Sequence, residues 1–143
     1  MIVVDDALLG AVLAGSAPAE LTAALADAEI ATTGSWYWRL SRAIRDRRST
    51  GALSRSFAAL PAPRQAVVLD ALERLPPELA LPSLRRLVPV MTGLDLDRPL
   101  NLLTAEAVAA AIVLDASIAV TTTAPLLTHA CERLGIELRV LNI

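Results

Sequence analysis

Apolar positions fall into two kinds of block: short β-branched runs and longer runs dominated by Ala and Leu. "IVV", Ile2 to Val4, is a continuous β-branched run, the pattern of a strand buried on both faces. It ends at Asp5-Asp6, and "ALLGAVLAG" follows as a predicted helix closed by Gly15. Ser16 and Pro18 open a second predicted helix, "AELTAALADA", with Ser as a good cap and Pro tolerated in a first turn. "EIATTG", Glu29 to Gly34, reads as a second strand and turn, after which Ser35 caps a helix. "STGALS" breaks that helix, with Gly51 as the pivot. "RSFAALPAPRQAVVLDALERLPPEL" is helical on both sides of Pro61 and Pro63 and stops at Pro76-Pro77. "LPSLRRLVPVMTG" predicts a short helix ended or kinked near Pro89, and "LDLDRPLN" a loop. The last third has the clearest pattern. "LTAEAVAAAIVLDA" is a helix with Thr104 as its cap, "SIAVTT" a buried strand, "APLLTHACERLG" a helix closed by Gly135, and "IELRVLNI" a final strand.

Four strands alternating with six or seven helices predict an α/β fold, a three-layer α/β/α sandwich around a short parallel sheet. The 143 residues suit one domain, 1–143, and contain no repeat and no linker. Composition changes this picture little. Hydrophobic content is 55%, much of it Ala, yet no apolar run approaches the roughly 20 residues that cross a bilayer. The opening "MIVVDDALLG" has no basic n-region, so no signal peptide and no membrane contact are expected. The single cysteine, Cys131, excludes an internal disulfide and a thiolate-cluster metal site; a lone free thiol with no export signal predicts a cytoplasmic protein. All positive charge is Arg, and the net charge of −2 leaves any attraction to nucleic acid to a local patch.

Ligands of open parallel sheets bind at the carboxyl ends of the strands. Asp5 ends the first strand and Thr121, Thr122 and Thr123 follow "SIAV", so these two strands are expected to be neighbours. A carboxylate there suits Mg²⁺ or Mn²⁺, which take oxygen ligands. Metal-assisted phosphodiester cleavage needs several acids, however, and one is too few. Asp5 could equally cap the helix it precedes. Asp6 is expected to face solvent. Asp95 and Asp97 alternate in "GLDLDRP" and read as a solvated loop, with cation binding as the alternative, and His129 reads as a surface or half-buried helix residue.

"MIVVDDALLGAVL" resembles the opening of PIN-domain proteins, especially the VapC-like toxins of bacterial toxin–antitoxin pairs. "LTAEAVAAAIVLDASIAVTTTAPLLTHACERLGIELRVL" is similar to the ending of the same family. The resemblance implies a parallel sheet flanked by helices and metal-dependent RNA cleavage by three or four clustered acids. Carried over position by position, the first acid falls on Asp5. The second falls near Trp38, the third at Ala105 with Glu106 beside it, and the fourth on Thr123. One acid is kept, one is recoverable by a one-residue shift that turns a helical side chain by about 100°, and two are replaced. If an ion binds, Asp5 and Glu106 are its candidate ligands, with Thr123 completing a candidate catalytic set. Glu106 alternatively serves only a helix N-terminal dipole.

One segment stands apart. "SWYWRLSRAIRDRR", Ser35 to Arg48, holds three of the four aromatic residues and five of the thirteen arginines. With Trp38 in the second acid's place, an indole is expected to fill part of the cleft. Trp36, Tyr37, Arg39, Arg42 and Arg45 are then candidates to bind RNA, through phosphates and a stacked base. They are equally candidates for an acidic partner such as an antitoxin-like protein, or for a homodimer face. They could also be ordinary core and rim residues. The reading favoured on these grounds is a PIN-like RNA- or partner-binding module with a degraded nuclease site. A Mg²⁺- or Mn²⁺-dependent endoribonuclease and a purely structural homodimer are the alternatives.

Overall fold

A computed structural model describes residues 1–46, 48 and 50–143. Arg47 and Ser49, at the expected end of the basic helix and at its expected break, lie outside the described residues. The elements run β1 (Ile2–Val4), α1 (Asp6–Leu13), α2 (Ala19–Ala24), β2 (Ile30–Ala31), α3 (Gly34–Arg45), α4 (Ala52–Ala58), α5 (Ala62–Glu73), β3 (Leu79–Ala80), α6 (Leu84–Gly93), α7 (Leu102–Leu114), β4 (Ser117–Val120), α8 (Pro125–Leu134) and β5 (Leu138–Val140). The five strands form one sheet in the order β3-β2-β1-β4-β5, with every pairing parallel. The expected α/β/α sandwich is therefore present. No helix among the described residues is long and apolar enough to cross a membrane.

Alternation along the strands sorts side chains into two apolar layers. Val3, Ala31, Ile118 and Val120 point to one face and pack with α7, Leu87 of α6 and Leu127 of α8. Ile2, Val4 and Ala119 point to the other, against Leu8, Leu9, Leu40, Val68 and Leu72. Helix α7 contributes mainly small side chains to the first layer: Ala107, Ala109, Ala110 and Ala111 are buried. A surface of methyl groups lets α6 and α8 approach α7 closely.

Several local expectations are revised. β3 is an addition to the four expected strands: it lies past the expected stop at Pro76-Pro77, and its two residues are too few to show any period and are a strand only because they pair with β2. Pro89 lies inside α6, which runs on to Gly93, so of the two outcomes expected there, an end or a kink, the helix does not end. Thr33, not Ser35, caps α3, its hydroxyl accepting from the Trp36 amide at 3.2 Å. Asn101, not Thr104, caps α7, its side chain accepting from the Thr104 amide at 2.9 Å. Ser, Thr, Asn and Asp compete as caps at nearby positions, so a slip of two or three residues is the natural error. Gly135 closes α8 in the left-handed region at φ 67°, as expected.

Helices α1 and α3 meet at Gly10, where an added Cβ would sit 3.2 Å from Leu40 Cδ1. Gly10→Val should overfill this contact and cost about 2 kcal/mol, read as a lower midpoint in urea unfolding.

Candidate functional site

The strand order reverses at β1, with β2 on one side and β4 on the other, so a crevice opens beyond the carboxyl ends of β1 and β4. Asp5 stands at its floor. One carboxylate oxygen accepts the Leu8 amide at 2.8 Å and so caps α1. The other accepts the Thr121 amide at 2.6 Å and the Thr121 hydroxyl at 2.9 Å, tying β4's end to β1's. Asp5 is 6% exposed. It is both the cap and the strand-end carboxylate that its position suggested.

Glu106 is placed differently. With α7 beginning at Leu102, Glu106 lies more than one turn inside the helix rather than at its start. Its carboxylate is buried against the N-terminus of α3. One oxygen accepts the Gly34 amide at 2.9 Å and the other the Ser35 amide at 3.0 Å. Together with Thr33 it meets the first three amides of α3, which have no partner inside the helix. The dipole that favours Glu106 is thus that of a neighbouring helix. Close approach is possible because residue 34 is glycine: a Cβ there would lie 3.1 Å from the carboxylate. Glu106 is not among the residues lining the crevice.

The crevice is a cavity of about 310 Å³, whose polar lining includes Asp5, Asp6, Arg39, Thr104, Thr121 and Thr123. Thr123 is exposed at its mouth. Asp6, expected to face solvent, is buried instead, because it occupies the first turn of α1 directly beneath α3. Arg39 Nε lies 3.1 Å from Asp6 Oδ2. The approach is off the hydrogen-bond direction, so Oδ2 makes no hydrogen bond and the contact is Coulombic. Burial pushes the Asp6 carboxyl above the usual carboxylate range; Arg39 pulls it back and Asp5 adds to the rise. Among the described residues, no three His, Cys, Asp or Glu side chains converge as a bound metal would require. Asp5 and Glu106, the candidate ligands, have their oxygens on main-chain amides and, for Asp5, a Thr hydroxyl.

The indole beside the crevice is that of Trp36, not Trp38. Trp36 is buried and lines the cavity, whereas Trp38 is 58% exposed. The expectation that Trp38 fills the cleft fails because α3 begins at Gly34: at about 100° per residue, position 38 points away from the face that buries Trp36 and Leu40. Tyr37 donates its hydroxyl to the Leu72 carbonyl of α5. The three arginines of α3 take three directions: Arg39 to Asp6, Arg42 over the Trp38 ring at 5.3 Å, and Arg45 to Glu73 at 3.0 Å. Trp38, Arg39, Arg42 and Arg48 line an open groove of about 490 Å³, together with Asp46. On the same side, Leu40, Ile44, Leu53, Phe57, Leu60 and Val68 line an apolar trough of about 630 Å³. Ala52 and Leu53 of α4 border the crevice, groove and trough alike.

Remote from the crevice, His129 Nε2 lies 2.7 Å from Asp97 Oδ1 and holds the Asp97 carboxyl below its ordinary range. Burial pushes the Cys131 thiol up to about 11, leaving it a small core hydrophobe rather than a nucleophile. The trough gave little sign of itself in the sequence, since its apolar residues come from four helices, α1, α3, α4 and α5, separated by loops. The Asp6–Arg39 contact left one faint trace, a carboxylate immediately before a predicted helix. No protein-family model matches the chain, and no curated protein matches it.

Two outcomes follow from the carboxylates. Glu106→Ala leaves the partly buried Gly34 and Ser35 amides without their acceptors and should cost about 2 kcal/mol in urea unfolding, with Glu106→Gln losing less because it keeps one acceptor. Asp6 favours the folded state most when protonated, since its folded pKa lies above its unfolded one. That contribution is present below the unfolded value and is lost as pH rises through the folded value. Asp6→Asn should therefore raise the melting temperature at neutral pH, the gain vanishing below about pH 4, near the unfolded aspartate pKa.

Proposed function

We propose that the protein is a PIN-like binding module, not a working nuclease, and that it holds an acidic, amphipathic segment of a protein partner beneath α4. The observation that carries this reading is the use of the carboxylates. A catalytic acid must offer lone pairs to a metal or to water. Those of Asp5 and Glu106 are spent on backbone amides that would be orphaned without them. Asp6 is buried facing Arg39 at 3.1 Å.

The surface beside the crevice supports a protein partner. The trough offers mainly apolar lining for side chains spaced along a helix, and the groove next to it offers Arg42, Arg48 and the exposed Trp38. Apolar anchors flanked by acids complement that pairing, and Trp and Arg are the residue types that dominate interface energies. An antitoxin-like protein is one source of such a segment. RNA is the less favoured ligand: the cationic rim is short, Asp46 stands within it, and Tyr37 is turned towards α5 rather than outward to stack on a base.

The test is calorimetric titration with a synthetic amphipathic helix carrying Leu and Glu at helical spacing, beside a single-stranded oligoribonucleotide of equal charge. The peptide should bind, and Trp38→Ala with Arg42→Ala should weaken it about tenfold or more. Tighter binding of the oligoribonucleotide would replace this reading with the RNA one. Mn²⁺-dependent cleavage of that RNA, abolished by Asp5→Ala, would replace it with the nuclease.

A further inference from the structure

The edge strand β5 presents a second surface, one that shares none of the trough's lining residues. Its inner side is settled by its bonds to β4: the Ile118 amide donates to the Glu137 carbonyl at 2.9 Å, and the Leu141 amide donates to the Val120 carbonyl at 2.8 Å. Main-chain groups alternate in direction along a strand. The Leu138 and Val140 groups therefore face away from the sheet, where no described strand pairs with them. Natural edges are commonly blunted by charge or covered. β5 and the residue just before it carry one charge of each sign: Glu137, which precedes the strand, and Arg139, within it, are exposed, lie on the same face, and touch at 2.8 Å. Val140 is 47% exposed.

We infer that β5 pairs antiparallel with β5 of a second copy about a two-fold axis through Leu138. This register follows from the side chains. A two-fold pairing places residues directly opposite when their numbers sum to twice the central one. Centred on Leu138, Glu137 faces the partner's Arg139 and Arg139 the partner's Glu137, at the positions where side chains approach most closely. Leu138 meets its own copy with both of its outward main-chain groups paired. Val140 falls opposite the partner's Ile136, so two apolar side chains meet. Pairing ends there, because the Ile136 amide is already committed to the Cys131 carbonyl. A two-fold through Arg139 would set two arginines face to face, so charge selects the first register. The occupant is a second copy because a single strand supplies both halves of the complementarity. The contact extends the sheet from five strands to ten and lies on β5, not on the aromatic-basic helix α3.

Sedimentation equilibrium over a concentration series tests this. The protein should dimerise. Arg139→Glu and Glu137→Arg should each raise the dissociation constant at least about tenfold, since each puts like charges opposite one another. Their far-ultraviolet dichroism should match the parent's, because both side chains are exposed. An equimolar mixture of the two variants should dimerise again, each chain now supplying the charge the other lacks. A protein that stays monomeric throughout, single variants that dimerise as tightly as the parent, or a mixture that stays monomeric would each overturn the assignment. None of these results bears on peptide binding in the trough, so the two proposals fail separately.

Discussion

Carboxylates bound to main-chain amides hold the carboxyl edge of this sheet together. Asp5 joins three elements through three hydrogen bonds to its carboxylate: it ends β1, caps α1 and clasps the turn after β4. Glu106 does the same for α7 and α3. Each places a buried carboxyl group where two main-chain N–H groups converge, so hydrogen bonds rather than a counter-ion satisfy it. The crevice walls are consequently fixed by the same groups that a metal-dependent enzyme would keep free.

That commitment shapes everything around it. With Glu106 seated on α3, the helix begins at Gly34, and this start sets the rotation of every later side chain. Trp36 and Leu40 turn inward, Arg39 reaches Asp6, and Trp38 and Arg42 are left outside as a pair. The concentration of aromatic and cationic residues in one segment then has a plain explanation. It is a single helix whose inner face builds the core and whose outer face builds a groove.

The sequence was informative where a segment's own pattern decides its structure. The β-branched runs at Ile2–Val4 and Ser117–Val120, the Ala-rich α7 and the Gly135 stop could be read directly, and with them the parallel sandwich. β3 could not, because a two-residue strand exists only through its neighbour. Of the candidate site, the strand-end position of Asp5 was readable, as was the possibility that it caps a helix. The partners of Glu106 were not: they lie 71 and 72 residues away, and local spacing carries no trace of them. Asp6 was misplaced for a related reason. A carboxylate after a carboxylate looks solvated until α3 is laid across it.

The two tryptophans stand two residues apart in opposite surroundings: Trp36 is sealed beside the crevice and Trp38 lies open under a guanidinium. An indole in an apolar site emits at shorter wavelength than one in water, so this helix carries two intrinsic fluorophores separable by colour and by access to a dissolved quencher. One reports on the crevice wall, the other on the outer groove, and no dye need be attached to tell events at the two apart.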